Sequence, residues 1–541
     1  MYEDLDPTAT LCPLLSYQGE STLRTRTPVD GDGQPIAGDW WSIVDTKLPL
    51  IYVRGYAGGQ SKIDQAVTDP FYGFNEGSTH IRVGRDGQPQ YYQYEGPLIR
   101  LINEEDYVLR VRGSQERYLV DAEDGTRHPN SVWIYRYYDG ATSSFGETAE
   151  AFSIERAAEG LAAFIQLVRD KTVDHPPVLL VAHSMGGLIC RVALEREILN
   201  PTASVAKLCT IGTPHGGIDP VVAGPVGPWL LANFGPNGSD MFAPKKMSKY
   251  IYGENVPDVR VMKRFPAERV LSIVGTNSRD YENGFSTFAM GVQSDGLVAI
   301  RNAYVKGSAR TYVHRSHSGR YGLVNSEEVY QTLKRFLFGG LRVEVQLEGL
   351  AFRPDPDVVW QAELRLAIRG IPVLIHEQTA EHYCPIDLEA AAEGQETDMA
   401  AVPLVTVFLM TFEQTIDGVR RLEACRYALD LKIASLVQDA GLFNFATHME
   451  QIGDWRDSLI VDVALNSEGG PEALTWEWNS RLARNPGAPG SLPRTVDLAP
   501  ANGGWVANIP LPESARVFVG AEAQIHLVVK EWPAFAPGET S

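Results

Sequence analysis

Short, continuous apolar runs recur through the first three-fifths of the chain. Residues 48–53, 132–137, 178–182, 207–211, 269–275 and 309–314 each read as a strand buried on both faces. Between the second and third runs, Ile154, Ala157, Ala158, Leu161, Phe164, Ile165 and Val168 fall at steps of three and four, which predicts an amphipathic helix. Residues 174–177 break it, and after the third run residues 188–199 return to helical spacing. Buried strands alternating with helices predict an α/β fold, a mostly parallel sheet flanked by helices.

Past Gly340 the period changes. Residues 341–347, 363–368, 427–433, 459–465 and 474–478 alternate apolar and polar positions, and 517–529 continues the strand-like text. About eight strands with Pro/Gly turns predict an antiparallel all-β sandwich. The expected division is therefore a catalytic-type α/β domain at 1–340 and a β-rich domain at 341–541. Residues 1–47, rich in Pro, Gly, Thr and Asp, read as an irregular lead-in. Two segments interrupt the α/β text. Residues 60–130 are long for a connection and carry Phe71, Tyr72, Phe74, Tyr91, Tyr92 and Tyr94, either as a pocket wall or as a hairpin packed on its own aromatics. Residues 218–265 contain no clear βα unit and read either as a cap or lid or as a fixed packed element.

Composition narrows the function classes. The 541 residues suffice for two or three domains, and a formal charge of −20 argues against nucleic-acid binding. It also opposes strong attraction to anionic membranes, leaving peripheral lipid contact to a local apolar face. Cys12, Cys190, Cys209, Cys384 and Cys425 are scattered without metal-ligand spacing, and none requires an oxidising compartment. The acidic N-terminus lacks the regions of a secretory signal, and no apolar run reaches the about 18 residues of a membrane span. The expectation is a cytoplasmic protein, with signal-independent export as the alternative.

The chemistry centres on Ser184. It ends the run at 178–182, turns at once into the next helix, and has small residues two positions either side, Ala182 and Gly186. That arrangement resembles the Gly-x-Ser-x-Gly nucleophile elbow of α/β-hydrolases, in the Ala-His-Ser-Met-Gly form of several bacterial lipases. His183 reads as a packing residue pointing away from the site. Residues 48–59 resemble the His-Gly-x loop of lipases, with Arg54 in place of the histidine. The resemblance implies an oxyanion hole built from the N–H groups of Tyr56 and Met185. Gly-Thr-Pro-His-Gly at 212–216 also occurs in lipases beside the site, and His215 reads there as structural.

The segment Asp295-Gly-Leu-Val resembles the acid loop of bacterial lipases and of cholesterol acyltransferase-type enzymes, which implies Asp295 as the acid; Asp280 is the competitor. Two histidines follow the last buried strand. His317 lies in the loop and is preferred as base, whereas His314 reads as the strand's end. The order Ser184, Asp295, His317 is that of α/β-hydrolases. Residues 48–340 thus resemble lipase-like α/β-hydrolases, including the group related to GPI inositol-deacylases. The resemblance implies hydrolysis of acyl or lipid esters with no cofactor and no metal. An acyltransferase or thioesterase with the same triad, or a binding protein on a vestigial hydrolase, are the alternatives. For 341–541 the readings are recognition, lipid docking, self-association or simple stabilisation.

Overall fold

The computed structural model describes residues 47–55, 78–83, 89–94, 96–109, 115–139, 152–218, 241–279, 293–319, 322–352, 358–388, 401–416, 419–424, 426–438, 449–465, 470–480, 494–501 and 504–532. Its strands up to the change of period are β1 Leu50–Val53, β2 Ser78–Val83, β3 Pro89–Tyr94, β4 Val108–Leu109, β5 Ser131–Ile134, β6 Val178–His183, β7 Val205–Ile211, β8 Val270–Gly275 and β9 Ala309–Val313. The helices there are α1 Pro97–Glu104, α2 Gln115–Val120, α3 Ile154–Lys171, α4 Met185–Glu195, α5 Pro201–Ser204, α6 Pro244–Tyr252 and α7 Glu327–Phe338.

Seven of these strands form one parallel sheet in the order β4-β5-β1-β6-β7-β8-β9. The expected mostly parallel sheet flanked by helices is what the chain folds into. Burial explains the apolar text: β1, β5, β7 and β8 are buried along their whole length, with helices covering the sheet. Helix α3 buries the residues whose spacing predicted it, from Ile154 to Val168, and Ser153 caps it by accepting the Arg156 N–H. Helix α4 is buried on every side, so its sequence shows no polar face. It ends at Glu195, earlier than the apolar spacing to Leu199 predicts.

Two charged residues on α4 explain part of the 218–265 segment. The Arg191 guanidinium, with no exposure, donates to the carbonyls of His215 and Val261 and to the Tyr252 hydroxyl. One turn on, the Glu195 carboxylate accepts the N–H groups of Lys263, Arg264 and Phe265. Residues 241–265 are thereby tied to the elbow helix, and α6 packs there; residues 219–240 lie outside the described residues. Of the 60–130 insertion, the β2–β3 hairpin, α1, β4 and α2 are described, while Phe71, Tyr72 and Phe74 lie outside.

Beyond the change of period come β10 Leu341–Glu348, β11 Val358–Ile368, β12 His376–Gln378, β13 Ile386–Asp387, β14 Val402–Leu409, β15 Thr411–Ile416, β16 Val419–Ala424, β17 Tyr427–Gln438 and β18 Met449–Leu465. They are followed by β19 Pro471–Trp478, β20 Arg494–Asp497, β21 Ala499–Ala501, β22 Gly504–Pro510, helix α8 Glu513–Val519 and β23 Gln524–Glu531. All these strands are antiparallel, in a five-stranded sheet β14-β10-β23-β22-β21 and a nine-stranded sheet built on β11, β17 and β18. Their inner faces share one apolar core that runs from Leu341 to Val529. The described strands outnumber the eight expected, because edge strands such as β12 and β13 are too short to show a period. Of the strand-like reading over 517–529, residues 524–529 lie in β23, while 517–519 belong to α8 instead. Ala515 and Val519 supply the buried stripe at a spacing of four, while Val517 and Phe518, which looked like strand residues, are 80% and 41% exposed.

The two halves meet along a dry seam. Trp532 donates its indole N–H to the Phe336 carbonyl at 2.7 Å and packs with Phe336 and Phe408. Beneath it, Lys207 of β7 donates to the carbonyls of Phe336 and Leu337, at 3.1 and 3.0 Å, with its ammonium 4.5 Å from the Trp532 ring. These carbonyls close α7, where a cation is favourable against the helix dipole. Burial pushes the Lys207 ammonium down to about 7. No helix of the described residues is long and apolar enough to cross a membrane.

Candidate active site

Ser184 stands between β6 and α4 at φ 53°, ψ −125°, a strained conformation for a residue with a side chain. The strain is held from several sides. Its N–H donates to the Ile211 carbonyl at 2.8 Å, and its carbonyl accepts the Thr213 hydroxyl at 2.9 Å and the Gly187 N–H at 3.0 Å. The turn tolerates nothing larger than glycine on its inner side. A Cβ on Gly186 would run into the backbone carbonyls of Val53 and Arg54, and one on Gly55 would lie 2.9 Å from the Ser184 Cβ.

Asp295 follows β8 and His317 follows β9, strands adjacent in the sheet, so the two loops leave side by side. The His317 N–H donates to the Asp295 carbonyl at 2.8 Å, joining the loops through their backbones. His317 Nδ1 lies 2.8 Å from Asp295 Oδ2, and His317 Nε2 lies 2.9 Å from Ser184 Oγ. The other carboxylate oxygen, Asp295 Oδ1, accepts the N–H groups of Leu297 and Val298 at 3.0 and 2.7 Å. A carboxylate can only accept, so Nδ1 carries its proton and Nε2 is left as the acceptor facing the serine hydroxyl. Asp295 is fully buried, and His317 and Ser184 are 2% and 7% exposed. The three residues form one continuous hydrogen-bonded chain in a nearly dry setting.

Glycines make room for this pair. A Cβ on Gly212, at φ +58°, would stand 3.2 Å from His317 Nδ1 and 3.3 Å from Asp295 Oδ2. One on Gly275 would stand 2.7 Å from the Asp295 Cβ. Both glycines end a central strand and are followed by a threonine that reaches the site's scaffold: Thr213 holds the Ser184 carbonyl, and Thr276 Oγ1 lies 3.2 Å from His314 Nδ1.

The remaining sequence candidates are placed as follows. Met185 opens α4 and is fully buried, its N–H at a helix start, where backbone donors have no partner within the helix. Tyr56 and Asp280 lie outside the described residues. His215 is fully buried with Nε2 2.9 Å from Thr210 Oγ1, and burial, then Arg191, hold it well below the usual imidazole range. His314 does not reach the serine; it stacks on His382 instead.

His183 corrects the sequence reading. It does not point away from the site. Its Nε2 lies 3.0 Å from the His317 carbonyl oxygen, and the two rings are 5.2 Å apart. Burial of the ring, then His317, push His183 down to about 3, so it is a neutral N–H donor under the backbone of the neighbouring histidine. The missed signal was a polar residue ending a strand buried everywhere else. No metal-holding group of three or more His, Cys, Asp or Glu occurs among the described residues.

One stretch of this architecture matches a known family. Residues 116–221, from α2 through the elbow and beyond β7, match the family model described as alpha/beta hydrolase. The parallel-sheet half has the α/β-hydrolase fold. Among solved structures, this chain is similar to a metagenomic carboxyl esterase at 14% identity and a TM-score of 0.28; the match covers 50% of this chain and spans 65% of that chain's length. A putative cell surface hydrolase from Lactobacillus plantarum matches at 16% identity and a TM-score of 0.24, covering 54% of this chain and 90% of the other. Phospholipase PlaB from Legionella pneumophila matches at 11% identity and a TM-score of 0.26, covering 75% and 91%. No curated protein matches the sequence.

Proposed function

We propose that the protein is a serine carboxylic-ester hydrolase of the esterase or lipase kind, with Ser184 as nucleophile, His317 as base and Asp295 as acid. The observation that carries this reading is the unbroken chain Asp295–His317–Ser184, with both hydrogen bonds under 3 Å and the serine on a strained turn. In the reaction His317 Nε2 takes the Ser184 proton as Oγ attacks the ester carbonyl, and the carbonyl π pair moves onto oxygen. The Met185 N–H, with that of Tyr56 as the lipase resemblance implies, holds the oxyanion. Collapse expels the alcohol, which receives the proton from His317. Water, deprotonated by the same imidazole, then attacks the acyl-enzyme, and the imidazolium returns that proton to Ser184 Oγ as the acid leaves. Asp295 holds the tautomer and stabilises the imidazolium in each half-reaction.

The test is ester turnover and covalent labelling by a fluorophosphonate, in wild type and in Ser184→Ala. Wild type turns over a short p-nitrophenyl ester and is labelled; the variant loses about a million-fold in turnover and all labelling while melting as a folded protein. Undiminished labelling of Ser184→Ala would reject the assignment.

A further inference from the structure

The β-rich half reaches the loop that carries His317. Strand β12 packs along β9, and His376 meets Tyr312 edge-on, with ring centroids 5.6 Å apart. Two residues further along the same side of the strand, His314 lies flat on His382, with centroids 3.7 Å apart and planes 11° from parallel. His314 is three residues from His317.

The turn that presents His382 is built for the purpose. Thr379, with no exposure, accepts the N–H groups of His382 and Cys384 on its carbonyl, and its hydroxyl accepts His382 N–H at 3.2 Å. Tyr383 takes a left-handed φ of 57°, a strained choice for an aromatic residue. That kink leaves Tyr383 39% exposed while its neighbours His382 and Cys384 are buried. On the hydrolase side, His314 Nδ1 is 3.2 Å from Thr276 Oγ1, and the Arg315 carbonyl accepts the Asn277 N–H at 3.2 Å. Residues 314–317 are thus gripped from below by the strand that leads to the acid, and from the side by His382.

We propose that the C-terminal half is a working part of the active site: His382, stacked on His314, is a positioning residue that holds the 314–317 loop so that His317 meets Ser184 Oγ. The inference rests on the serine-hydrolase reading. Backbone bonds fix where the loop begins and where His317 sits relative to Asp295. Arg315 also pairs with Glu328 of α7 at 2.8 Å and His183 with the His317 carbonyl at 3.0 Å, and the flat His382 ring adds a wall against His314 itself. A base displaced by about 1 Å costs roughly a hundredfold in rate.

The experiment uses the full chain with three replacements, His382→Ala, His382→Leu and His382→Phe. Leucine fills the volume without a flat ring, and phenylalanine restores the flat ring without ring nitrogens. Wild-type turnover and fluorophosphonate labelling are measured first; an inactive, unlabelled wild type removes the hydrolase reading and the inference with it. Given an active wild type, His382→Ala and His382→Leu lower kcat and the labelling rate about ten- to a hundredfold, with KM changed less than about threefold. His382→Phe recovers to within about threefold of wild type. If the alanine variant does not fold, the leucine and phenylalanine pair decides. Equal kcat in His382→Leu, His382→Phe and wild type overturns the proposal, as does equal loss in both that follows their melting temperatures.

Discussion

Replacing Asp295 by asparagine should invert the base rather than merely weaken it. The carboxylate accepts three N–H groups: Leu297 and Val298 on Oδ1, and His317 Nδ1 on Oδ2. An asparagine has one oxygen and one NH₂ to share among them. Turning the NH₂ towards Leu297 and Val298 would set donors against donors and orphan two buried backbone N–H groups, at about 1–3 kcal/mol each. The amide is therefore forced to keep its oxygen there and to present its NH₂ to His317 Nδ1. His317 must then accept at Nδ1 and carry its proton on Nε2, which faces Ser184 Oγ at 2.9 Å. The serine loses its proton acceptor while every heavy atom stays in place. Where the same tautomer inversion is known in a serine protease it lowers kcat about ten-thousandfold, and that size is expected here, about 5.4 kcal/mol at 1.36 kcal/mol per decade. The assay is steady-state hydrolysis of a p-nitrophenyl ester beside fluorophosphonate labelling and thermal melting. Melting should move little, since all three hydrogen bonds survive. A variant retaining a tenth of wild-type kcat would refute the reasoning, and normal kinetics combined with a crippled Asp280→Asn would move the acid to Asp280.

Two further outcomes follow from the half-buried His183 and the buried His376. His183→Ala removes the donor to the His317 carbonyl, so kcat should fall about tenfold or more and stability by about 1–3 kcal/mol, read by ester kinetics and urea unfolding; unchanged kcat would return His183 to a packing role. Burial pushes His376 down to about 4, so the folded protein keeps it neutral while the unfolded chain protonates it below about 6.5. The unfolded state then binds more protons, and stability is lost as pH falls from about 6.5 towards 4. From pH 7.5 to 5 this is about 2 kcal/mol, at roughly 1.36 kcal/mol per unit. His376→Phe should lack that increment in urea unfolding at the two pH values; parallel curves for variant and wild type would disprove it.

What could be read from the sequence, and what could not, divides by range of interaction. The elbow was legible because its causes lie within a few residues: a doubly buried strand, a serine, and small neighbours at Ala182 and Gly186. Strand order within the parallel sheet has no such local mark, since β1 is inserted between β5 and β6 by contacts across the whole fold. The same holds for the groups that hold the site. Gly275 matters only because loops from different strands converge on it, and nothing near it in the chain says so; Gly212 and Thr213 are marked only as part of a segment that resembles lipases beside the site. His183 was misjudged because a strand's alternation tells which face a side chain takes, not which loop crosses that face. The helix at Glu513–Val519 was missed because two exposed apolar residues, Val517 and Phe518, filled positions that a helix usually leaves polar.

Lys207 sets an order of events during synthesis. Its ammonium is 4% exposed, and the ring that covers it belongs to Trp532. They stand 325 positions apart, from 532 − 207. At about 5–20 residues per second, roughly 16–65 s separate the appearance of the lysine from that of its cover. Once α7 has followed, its Phe336 129 residues after the lysine, β7 and α7 can pair, yet the charge then has only carbonyls on one side and water on the other. The parallel sheet therefore leaves the ribosome with the Lys207 cation unsealed at its seam, and is completed only when Trp532, just past β23, arrives.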